Sequence, residues 1–312
     1  MSLVSVIIPA YNHENFIQET IKSIINQTYQ NIELIILDDG SKDSTWAKIN
    51  EMKDECEKRF SRIIFETKEN EGTCKTLNKL INLAEGEYIY LIASDDIAKP
   101  HAIEKEVNFL QNNTDYSLVV GDNEIIDKNN KRCNWNKKQE ITPDGKFKTF
   151  AQFLQRNKPF KFTSNDFGTY KTLYTGNYIP NGYLIRKSIF EITGLFTPEA
   201  PLEDWYLMLQ ISKYSKMKYI DEILFSYRWY DGNTIKNKEK MKMIIQQTLE
   251  HEEKILENID KSKVQKDVTE VINKGVCYKT KGIPYIFEVL NYKKSGKKVK
   301  IIKLLNIKIF QH

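Results

Sequence analysis

Three pairs of adjacent acidic residues in the 312-residue chain are the best candidates for chemistry. Asp38-Asp39 and Asp95-Asp96 each follow an apolar run, and Glu203-Asp204 opens a segment with helical periodicity. Hard cations such as Mg²⁺ and Mn²⁺ prefer carboxylate oxygens, and they bind phosphate substrates through one or two of them. The first two pairs therefore predict a divalent cation that holds the phosphates of a substrate.

The Glu203-Asp204 pair has two interpretations. Acidic residues at the start of a helix are stabilised by the helix dipole, so the pair can serve as a cap. Beside the partly apolar Trp205, the same pair can act as a general base. Both interpretations stay open at the level of the residues.

The first 120 residues contain the first two pairs and alternate between the periodicities of strands and helices. Apolar, β-branched runs predict strands over Leu3–Ile8, Ile32–Leu37, Arg62–Glu66, Glu87–Ala93 and Tyr116–Val120. Apolar stripes predict helices over Glu14–Thr28 (capped by Asn12 or His13), Lys42–Arg59, Thr73–Ala84 and Pro100–Gln111. The alternation predicts an α/β fold with a mostly parallel sheet and helices on both faces.

Polar segments follow four successive predicted strands. In parallel sheets, ligands bind outside the carboxyl ends of the strands, so these segments meet at one edge. Each segment alone is an ordinary turn or helix cap. Together they predict one ligand site, formed by Pro9-Ala10-Tyr11-Asn12, Asp38-Asp39-Gly40-Ser41, Asn70-Glu71-Gly72-Thr73 and Ser94-Asp95-Asp96.

The glycine-rich phosphate loops of nucleotide-binding proteins are absent from the sequence. No G-x-G-x-x-G follows the first strand, and no G-x-x-x-x-G-K-[ST] occurs anywhere. A dinucleotide or triphosphate held by backbone amides is therefore not expected. This favours a divalent cation, bound by the acidic pairs, as the group that holds the substrate phosphates.

The second half of the chain is less regular. Residues 158–178 are rich in aromatic side chains, which form either a packing layer or a wall for a sugar ring. Helices are predicted over Lys146–Arg156, Trp205–Lys213 and Asn237–Ile259. The last of these has nearly heptad apolar spacing, which indicates packing within the chain or in a homo-oligomer.

Charge and composition narrow the class of protein. The chain has 47 Lys and Arg against 42 Asp and Glu, and seven Lys without an acid lie between Val289 and His312. The near-neutral remainder does not predict a nucleic-acid binder. No apolar run reaches the ~18 residues of a membrane span. With no signal segment and no C-x-x-C motif, the sequence indicates a cytoplasmic protein.

The order of these motifs resembles bacterial glycosyltransferase family two, the inverting nucleotide-sugar transferases with the GT-A fold. The resemblance runs from about Val4 to Asn233. The segments that match the family's motifs are Ser5–Asn12, Glu33–Ser44, Asn70-x-Gly72 with Asn78 and Glu85–Ile89, Ser94-Asp95-Asp96, Gly194-Leu195-Phe196 and Glu203-Asp204.

The resemblance implies a role for each matched residue. Pro9, Ala10, Tyr11 and Asn12 would form the nucleotide loop. Tyr11 and Asp39 would hold the base, usually uracil, and Asp38 would also belong to the nucleotide-sugar site. Gly72, Lys75 and Asn78 would face the donor. Asp95 would lie near the ribose and the metal, and Asp96 would ligate Mn²⁺ or Mg²⁺. Asp204 would remove the acceptor's proton, with Glu203 as its neighbour.

The sequence departs from the family's pattern at several positions. Ala93 replaces an acid of the metal motif, and Leu77 replaces an Arg whose part Lys75 could take. Where the family often has a His after the Tyr-Arg segment, Trp229 and Tyr230 follow, so the third metal ligand stays open. Phe225 stands at the Gln position of the processive motif, which favours addition of a single sugar.

The resemblance implies a metal-dependent, non-processive hexosyltransferase of surface polysaccharide synthesis. It would move a sugar from a UDP-sugar to a lipid-linked glycan acceptor. Residues 1–120 would bind the donor, 121–235 would bind the acceptor and carry the base, and 236–312 would form a helical extension with a basic tail. The tail, 293–310, either packs on the body or contacts the anionic inner face of the membrane. The alternatives are a non-catalytic nucleotide-sugar-binding protein and a sugar nucleotidyltransferase.

Overall fold

The computed structural model describes residues 1–274 and the strand segments 288–294, 297–304 and 307–310. In this part of the chain, one sheet has nine strands in the order β3-β2-β1-β4-β8-β6-β9-β5, with β7 beside β6. The strands are β1 (Val4–Ala10), β2 (Ile32–Asp38), β3 (Ile63–Thr67), β4 (Tyr88–Leu91), β5 (Ile97–Ala98), β6 (Tyr116–Ile126), β7 (Arg132–Cys133), β8 (Tyr183–Arg186) and β9 (Lys216–Arg228).

The described helices follow the predicted alternation in the first half and continue into the second. They are α1 (Ile17–Ile25), α2 (Thr45–Glu51), α3 (Lys53–Arg59), α4 (Thr73–Leu83), α5 (Ala102–Asn112), α6 (Phe150–Gln155), α7 (Tyr170–Leu173), α8 (Phe190–Thr193), α9 (Glu203–Tyr214), α10 (Lys238–Asn258) and α11 (Lys266–Lys274).

The first four strands of the sheet order run parallel. Strand β1 pairs with β2 on one side and with β4 on the other, and β2 pairs with β3. The register places Ala10 opposite Asp38, so the polar segments after β1 and β2 begin at the same level. The strands β1 and β2 are buried almost throughout, which explains their unbroken apolar sequence. Beyond β4, strand β8 pairs antiparallel with β4 and β6.

Two local predictions in this half were wrong. The predicted helix Lys42–Arg59 is divided into α2 and α3, which meet at Met52. Helix α1 has Phe16 at its N-cap position, so neither Asn12 nor His13 caps it. Both side chains are engaged elsewhere: Asn12 Oδ1 accepts the Lys42 N–H, and the His13 ring contacts Ser94.

The chain forms two compact units. Unit 1 comprises 1–132, 180–198 and 220–230, and unit 2 comprises 133–179, 199–219 and 231–312. Each unit is therefore built from separate stretches of sequence. The predicted division at residues 120 and 235 concerns functional parts and stays a prediction.

The aromatic residues of 158–178 form a packing layer in unit 2. Phe162, Phe167 and Tyr178 are buried, and their ring centroids lie 5.3–5.6 Å apart. Tyr219 joins the same cluster, 5.6 Å from Phe162 and 5.5 Å from Phe167. Of the two interpretations of this segment, packing is confirmed.

The long predicted helix is α10, and its apolar stripe is largely covered within the described chain. Ile244, Ile245 and Leu249 are buried, whereas Met243 on another face is exposed. The stripe therefore packs within the chain, as one of its two interpretations predicted. A homo-oligomer through residues 237–259 stays a prediction.

The C-terminal segment 236–312 starts with helices α10 and α11 and continues in strands that the predicted helical extension did not include. Strands β10 (Glu288–Lys294), β11 (Lys297–Leu304) and β12 (Ile307–Phe310) form an antiparallel sheet. Alternation of Lys with β-branched residues favours strands because successive side chains point to opposite faces. Among the described residues, no helix has the length and apolar character to span a membrane.

Candidate functional site

The segment after β1 is fixed to the segment after β2 in unit 1. Asn12 has a left-handed backbone with φ of 53°, which Asn adopts more readily than most residues. Its N–H donates to Ser41 Oγ at 2.9 Å, and its Oδ1 accepts the Lys42 N–H at 2.8 Å. Tyr11 is exposed next to this turn. The predicted nucleotide loop Pro9–Asn12 thus presents Tyr11 on a backbone held by hydrogen bonds.

The Asp38-Asp39 pair is buried, and its oxygens already accept hydrogen bonds. Asp38 Oδ2 accepts from Thr67 Oγ1 at 2.8 Å and from the Ser41 amide at 3.2 Å. Asp39 accepts from the amides of Glu71 and Gly72 at 3.0 Å and pairs with Lys68. Burial raises the pKa of Asp39, but Lys68 and these donors outweigh it and hold the pKa below its usual value. Asp39 therefore anchors the 70–72 segment as a carboxylate.

Helix α4 follows the predicted site residue Gly72 and carries two more, Lys75 and Asn78, which have different surroundings. Gly72, with φ of 89°, is its N-cap residue. The Asn78 amide donates to the Phe196 carbonyl at 2.8 Å and accepts the Phe196 N–H at 2.9 Å. Asn78 thus ties α4 to the Gly194-Leu195-Phe196 motif, while Lys75 is exposed and lies 3.4 Å from Glu71. The two motifs meet in the fold as a structural contact.

Asp95 and Asp96, which follow β4, differ in accessibility. Asp96 is buried, and its Oδ1 accepts the Arg228 N–H at 2.8 Å. Burial, with the neighbouring Asp95 carboxylate, raises the pKa of Asp96 well above its usual value. Asp95 Oδ2 accepts a hydrogen bond from the Tyr230 hydroxyl at 3.1 Å. Burial and the negative charge of Asp95 raise the pKa of Tyr230.

Two residues of this cluster were missed as site residues by the sequence analysis. His13 Nδ1 lies 2.7 Å from Ser94 Oγ, and His13 Nε2 lies 3.1 Å from Tyr230 OH and 3.8 Å from Asp95 Oδ2. His13 directly follows the predicted nucleotide loop. Because ligands bind outside the carboxyl ends of parallel strands, the segment after β1 could have been extended to include it. Tyr230 lies 135 positions from Asp95, and no local pattern joins them.

In unit 2, the Glu203-Asp204 pair occupies the first turn of α9. Asp204 Oδ2 accepts from Asn177 Nδ2 at 3.0 Å, and Oδ1 accepts the Trp205 N–H at 2.6 Å. Burial raises the pKa of Asp204 against these hydrogen bonds. Burial and the Asp204 charge raise the pKa of Glu203 to about 7. A carboxyl pair with raised pKa values is suited to accept a proton near neutral pH.

The indole of Trp205 holds the start of α9 in place. Trp205 Nε1 donates to the Leu173 carbonyl at 2.8 Å, at the end of α7. The Leu202 N–H donates to Thr248 Oγ1 on α10 at 3.0 Å. The acidic pair therefore projects from a helix end that is fixed on two sides.

The acidic residues after β4 suit a hard divalent cation. Burial and the adjacent Asp95 charge raise the proton affinity of Asp96, and a bound dication would relieve both effects, since its positive charge favours the ionised carboxylate. Within the described residues, no group of three or more His, Cys, Asp or Glu side chains is arranged to hold a metal. Phosphate oxygens of a substrate would have to complete the coordination shell.

Comparison with known families decides the relationship of the chain. The sequence model described as "Glycosyl transferase family 2" matches residues 5–175, more than half of the sequence. The chain belongs to glycosyltransferase family 2. The resemblance predicted from the motifs is thereby confirmed.

Curated relatives of this family 2 member carry glycosyltransferase names. Glycosyltransferase GlyG of Streptococcus pneumoniae is 29% identical over 75% of this chain and 73% of its own length. Escherichia coli WfaP, named a UDP-Glc:alpha-D-GlcNAc-diphosphoundecaprenol beta-1,3-glucosyltransferase, is 42% identical over 36% of this chain and 42% of its own length. The chain spans less than half the length of the first curated relatives, for example 38% of an uncharacterized glycosyltransferase of Haemophilus influenzae.

Solved structures with a similar fold have low sequence identity. S. aureus TarS 1–349 in complex with UDP-GlcNAc matches with a TM-score of 0.54 and 16% identity, over 83% of this chain and 67% of that one. The mannosyltransferase PcManGT of Pyrobaculum calidifontis, in complex with GDP-Man and Mn²⁺, matches with a TM-score of 0.57 and 15% identity, over 81% of this chain and 64% of that one. These likenesses confirm the predicted α/β fold of the GT-A type.

Proposed function

We propose that this family 2 member is a metal-dependent, inverting glycosyltransferase that moves one sugar from a nucleotide sugar to a glycan acceptor. The observation that carries the proposal is two pairs of adjacent carboxyl groups, Asp95-Asp96 after β4 and Glu203-Asp204 at the start of α9. Burial raises the pKa values of Asp96, Glu203 and Asp204. The first pair suits a cation and diphosphate, and the second suits proton removal near neutral pH.

The proposed reaction is an in-line displacement at the anomeric carbon of the donor sugar. The acceptor oxygen forms a bond to that carbon while the bond from the carbon to the diphosphate oxygen breaks. The acceptor's proton passes to Asp204, and the electron pair of the broken bond leaves with the nucleoside diphosphate. Asn177 and the Trp205 amide hold the Asp204 carboxylate in one orientation.

Unit 1 is proposed to bind the donor. Tyr11 and Asp39 would contact the base, with Asp38 supporting the same turn. The Asp95-Asp96 pair would supply carboxylate oxygen to Mn²⁺ or Mg²⁺, which, when bound, neutralises charge on the leaving diphosphate. Asp95 has the more accessible carboxylate of the two. Lys75 is exposed beside this edge and could meet phosphate by a change of rotamer.

The nature of donor and acceptor is proposed from relatives. WfaP is named for UDP-Glc and a diphosphoundecaprenol-linked acceptor, and TarS was solved with UDP-GlcNAc. These names favour a UDP-sugar and a lipid-linked glycan acceptor. The proposed setting is bacterial surface polysaccharide or oligosaccharide synthesis in the cytoplasm, at the inner face of the membrane.

A donor screen tests this function. Nucleotide sugars are first compared by thermal shift with Mn²⁺, and those that stabilise the chain are then incubated with lipid-linked acceptors. We expect a UDP-sugar to raise the Tm and to release UDP when acceptor is present. Stabilisation without UDP release by any acceptor would favour a non-catalytic binding protein. Release of pyrophosphate from a nucleoside triphosphate would favour a sugar nucleotidyltransferase.

A further inference from the structure

The imidazole of His13 and the carboxylate of Asp95 lie side by side in unit 1. His13 Nε2 is 3.8 Å from Asp95 Oδ2, and both atoms lie 3.1 Å from Tyr230 OH. The two side chains keep 25% and 12% of their surface exposed, so a small ligand can reach them. The pair is thus a partly open nitrogen–oxygen set at the edge where the substrate phosphates are proposed to bind.

The other ring nitrogen of His13 fixes the orientation of the ring. His13 Nδ1 lies 2.7 Å from Oγ of the buried Ser94, and a serine hydroxyl can donate or accept. With hydrogen on Nε2, the ring donates to Tyr230, which donates to Asp95, and the protein alone satisfies the cluster. With hydrogen on Nδ1, the ring donates to Ser94, and the Nε2 lone pair faces the Tyr230 hydroxyl, which a cation bound to Nε2 and Asp95 would displace.

The second tautomer has the arrangement of a metal ligand. Histidines that bind metals donate their other ring N–H to an oxygen, which sets the tautomer and the ring direction. Zn²⁺, for example, binds imidazole nitrogen and carboxylate oxygen at about 2.0–2.2 Å, so two of its ligands lie at most ~4.3 Å apart. The 3.8 Å between His13 Nε2 and Asp95 Oδ2 falls within that limit.

We propose that His13 Nε2 and Asp95 Oδ2 are the two protein ligands of the divalent cation, and that diphosphate oxygens of the donor complete its shell. This inference rests on the proposed function, because the donor supplies the remaining ligands. Two protein ligands are sufficient for a cation that also binds substrate phosphates. Asp96 Oδ1 already accepts the Arg228 N–H at 2.8 Å, which leaves Asp95 as the more available carboxylate.

The test binds Mn²⁺ and UDP to the full chain and measures nitrogen hyperfine couplings by pulsed electron paramagnetic resonance. An imidazole bound directly to Mn²⁺ gives a ¹⁴N coupling, and labelling the protein with ¹⁵N-histidine replaces it by a ¹⁵N coupling. We expect this coupling in the wild-type protein and its loss in His13→Gln. We also expect the affinity of His13→Gln for Mn²⁺ with UDP to be weaker by roughly 10-fold or more.

Two control variants separate ligation from hydrogen bonding. His101→Gln is matched, because His101 Nδ1 lies 3.7 Å from Glu104 Oε2 but the two side chains are 62% and 46% exposed. This variant should keep the coupling and the affinity. Tyr230→Phe removes the hydroxyl that contacts both proposed ligands, and it should also keep the nitrogen coupling.

The outcomes separate the inference from the proposed function. Binding of Mn²⁺ with UDP but without a histidine coupling would overturn the inference and leave the transferase proposal intact. Sugar transfer in EDTA, with no Mn²⁺ bound, would overturn the inference and the metal dependence but would leave the transferase activity itself supported. Absence of Mn²⁺ binding and of turnover with every donor would overturn both. If His13→Gln fails to fold, the ¹⁵N-histidine spectrum of the wild-type protein still decides the ligand.

Discussion

At the scale of single residues, the acidic side chains differ in how much of their hydrogen-bonding capacity the protein itself uses. Asp38 and Asp39 accept from loop amides, a hydroxyl and Lys68, so their first effect is to shape the turn around them. Asp95 instead faces Tyr230 and His13. Glu203 and Asp204 form a pair with raised proton affinity. We therefore propose a chemical role for Asp95, Glu203 and Asp204 and a supporting role for Asp38 and Asp39.

The substitution Asp204→Asn tests the proposed base. The amide cannot accept the acceptor's proton, while it can keep a hydrogen bond with the Trp205 amide. A general base contributes typically ~10²–10⁴ in rate, so we expect kcat to fall by about that factor with donor affinity unchanged. Initial rates and calorimetric titration with UDP measure the two quantities. Transfer at the wild-type rate would remove Asp204 from the mechanism.

The pH dependence of transfer follows from the Glu203-Asp204 pair. The pKa of Glu203 is raised to about 7, in part by the Asp204 charge, so below that pH the pair keeps a proton on Glu203. Ionisation of Glu203 adds a second negative charge beside Asp204, which makes Asp204 a stronger base. The rate should therefore rise with pH on an acidic limb near 7, which belongs to the pair as a whole. In Glu203→Gln, one negative charge is lost, the pKa of Asp204 falls, and the limb should move to lower pH. A pH–rate profile that stays at the same position in this variant would contradict the coupling.

At the scale of elements, helix α10 holds α9, which carries the proposed base, at both ends. Thr248 accepts the Leu202 N–H just before α9 begins. Near the other end, Lys213 and Glu252 form an ion pair at 2.9 Å with both side chains 0% exposed. Gln210 and Tyr170 also donate to Glu252. Polar groups buried in this way make the pairing of the two helices specific, since any shift leaves a charge without its partner.

Glu252→Ala should destabilise the chain strongly. It leaves the Lys213 ammonium buried without its carboxylate, and breaking a buried pair typically costs about 3–5 kcal/mol. Urea unfolding followed by circular dichroism should show a lower midpoint. The control is Glu250→Ala on the same helix: Glu250 is exposed and bonded to Gln246, and its loss should change stability by about 0.5 kcal/mol or less. Equal midpoints for the two variants would contradict the role of the buried pair.

At the scale of the whole molecule, positive charge is concentrated at one end of the sequence. Seven Lys lie after Val289 with no acid among them, while the rest is slightly acidic. Each Lys near an anionic membrane surface contributes about 1 kcal/mol to the free energy of binding to it. We propose that residues 293–310 bring the chain to anionic lipid, where a lipid-linked acceptor would reside.

Replacing Lys298, Lys300 and Lys303 by Gln tests this membrane contact. At about 1 kcal/mol each, the loss should weaken binding to vesicles that contain anionic lipid by roughly 100-fold. Co-sedimentation with phosphatidylserine and phosphatidylcholine vesicles measures it, and raised salt should weaken wild-type binding. A control variant with the same charge change replaces the exposed residues Lys53, Lys58 and Lys261. If both triple variants bind equally well, the tail has no specific role.

The sequence by itself determined the alternation of strands and helices, the parallel pairing of the first strands, the edge at which polar segments meet, and the acidic pairs. These features were predictable because side-chain periodicity and the ends of buried strands are local properties. The tertiary structure alone decided which polar groups are already occupied. Asn78 binds Phe196, 118 positions away, and Tyr230 reaches His13 across 217. Such pairings depend on strand order and long-range packing, which no window of sequence contains, and they determine which residues of the edge face a ligand.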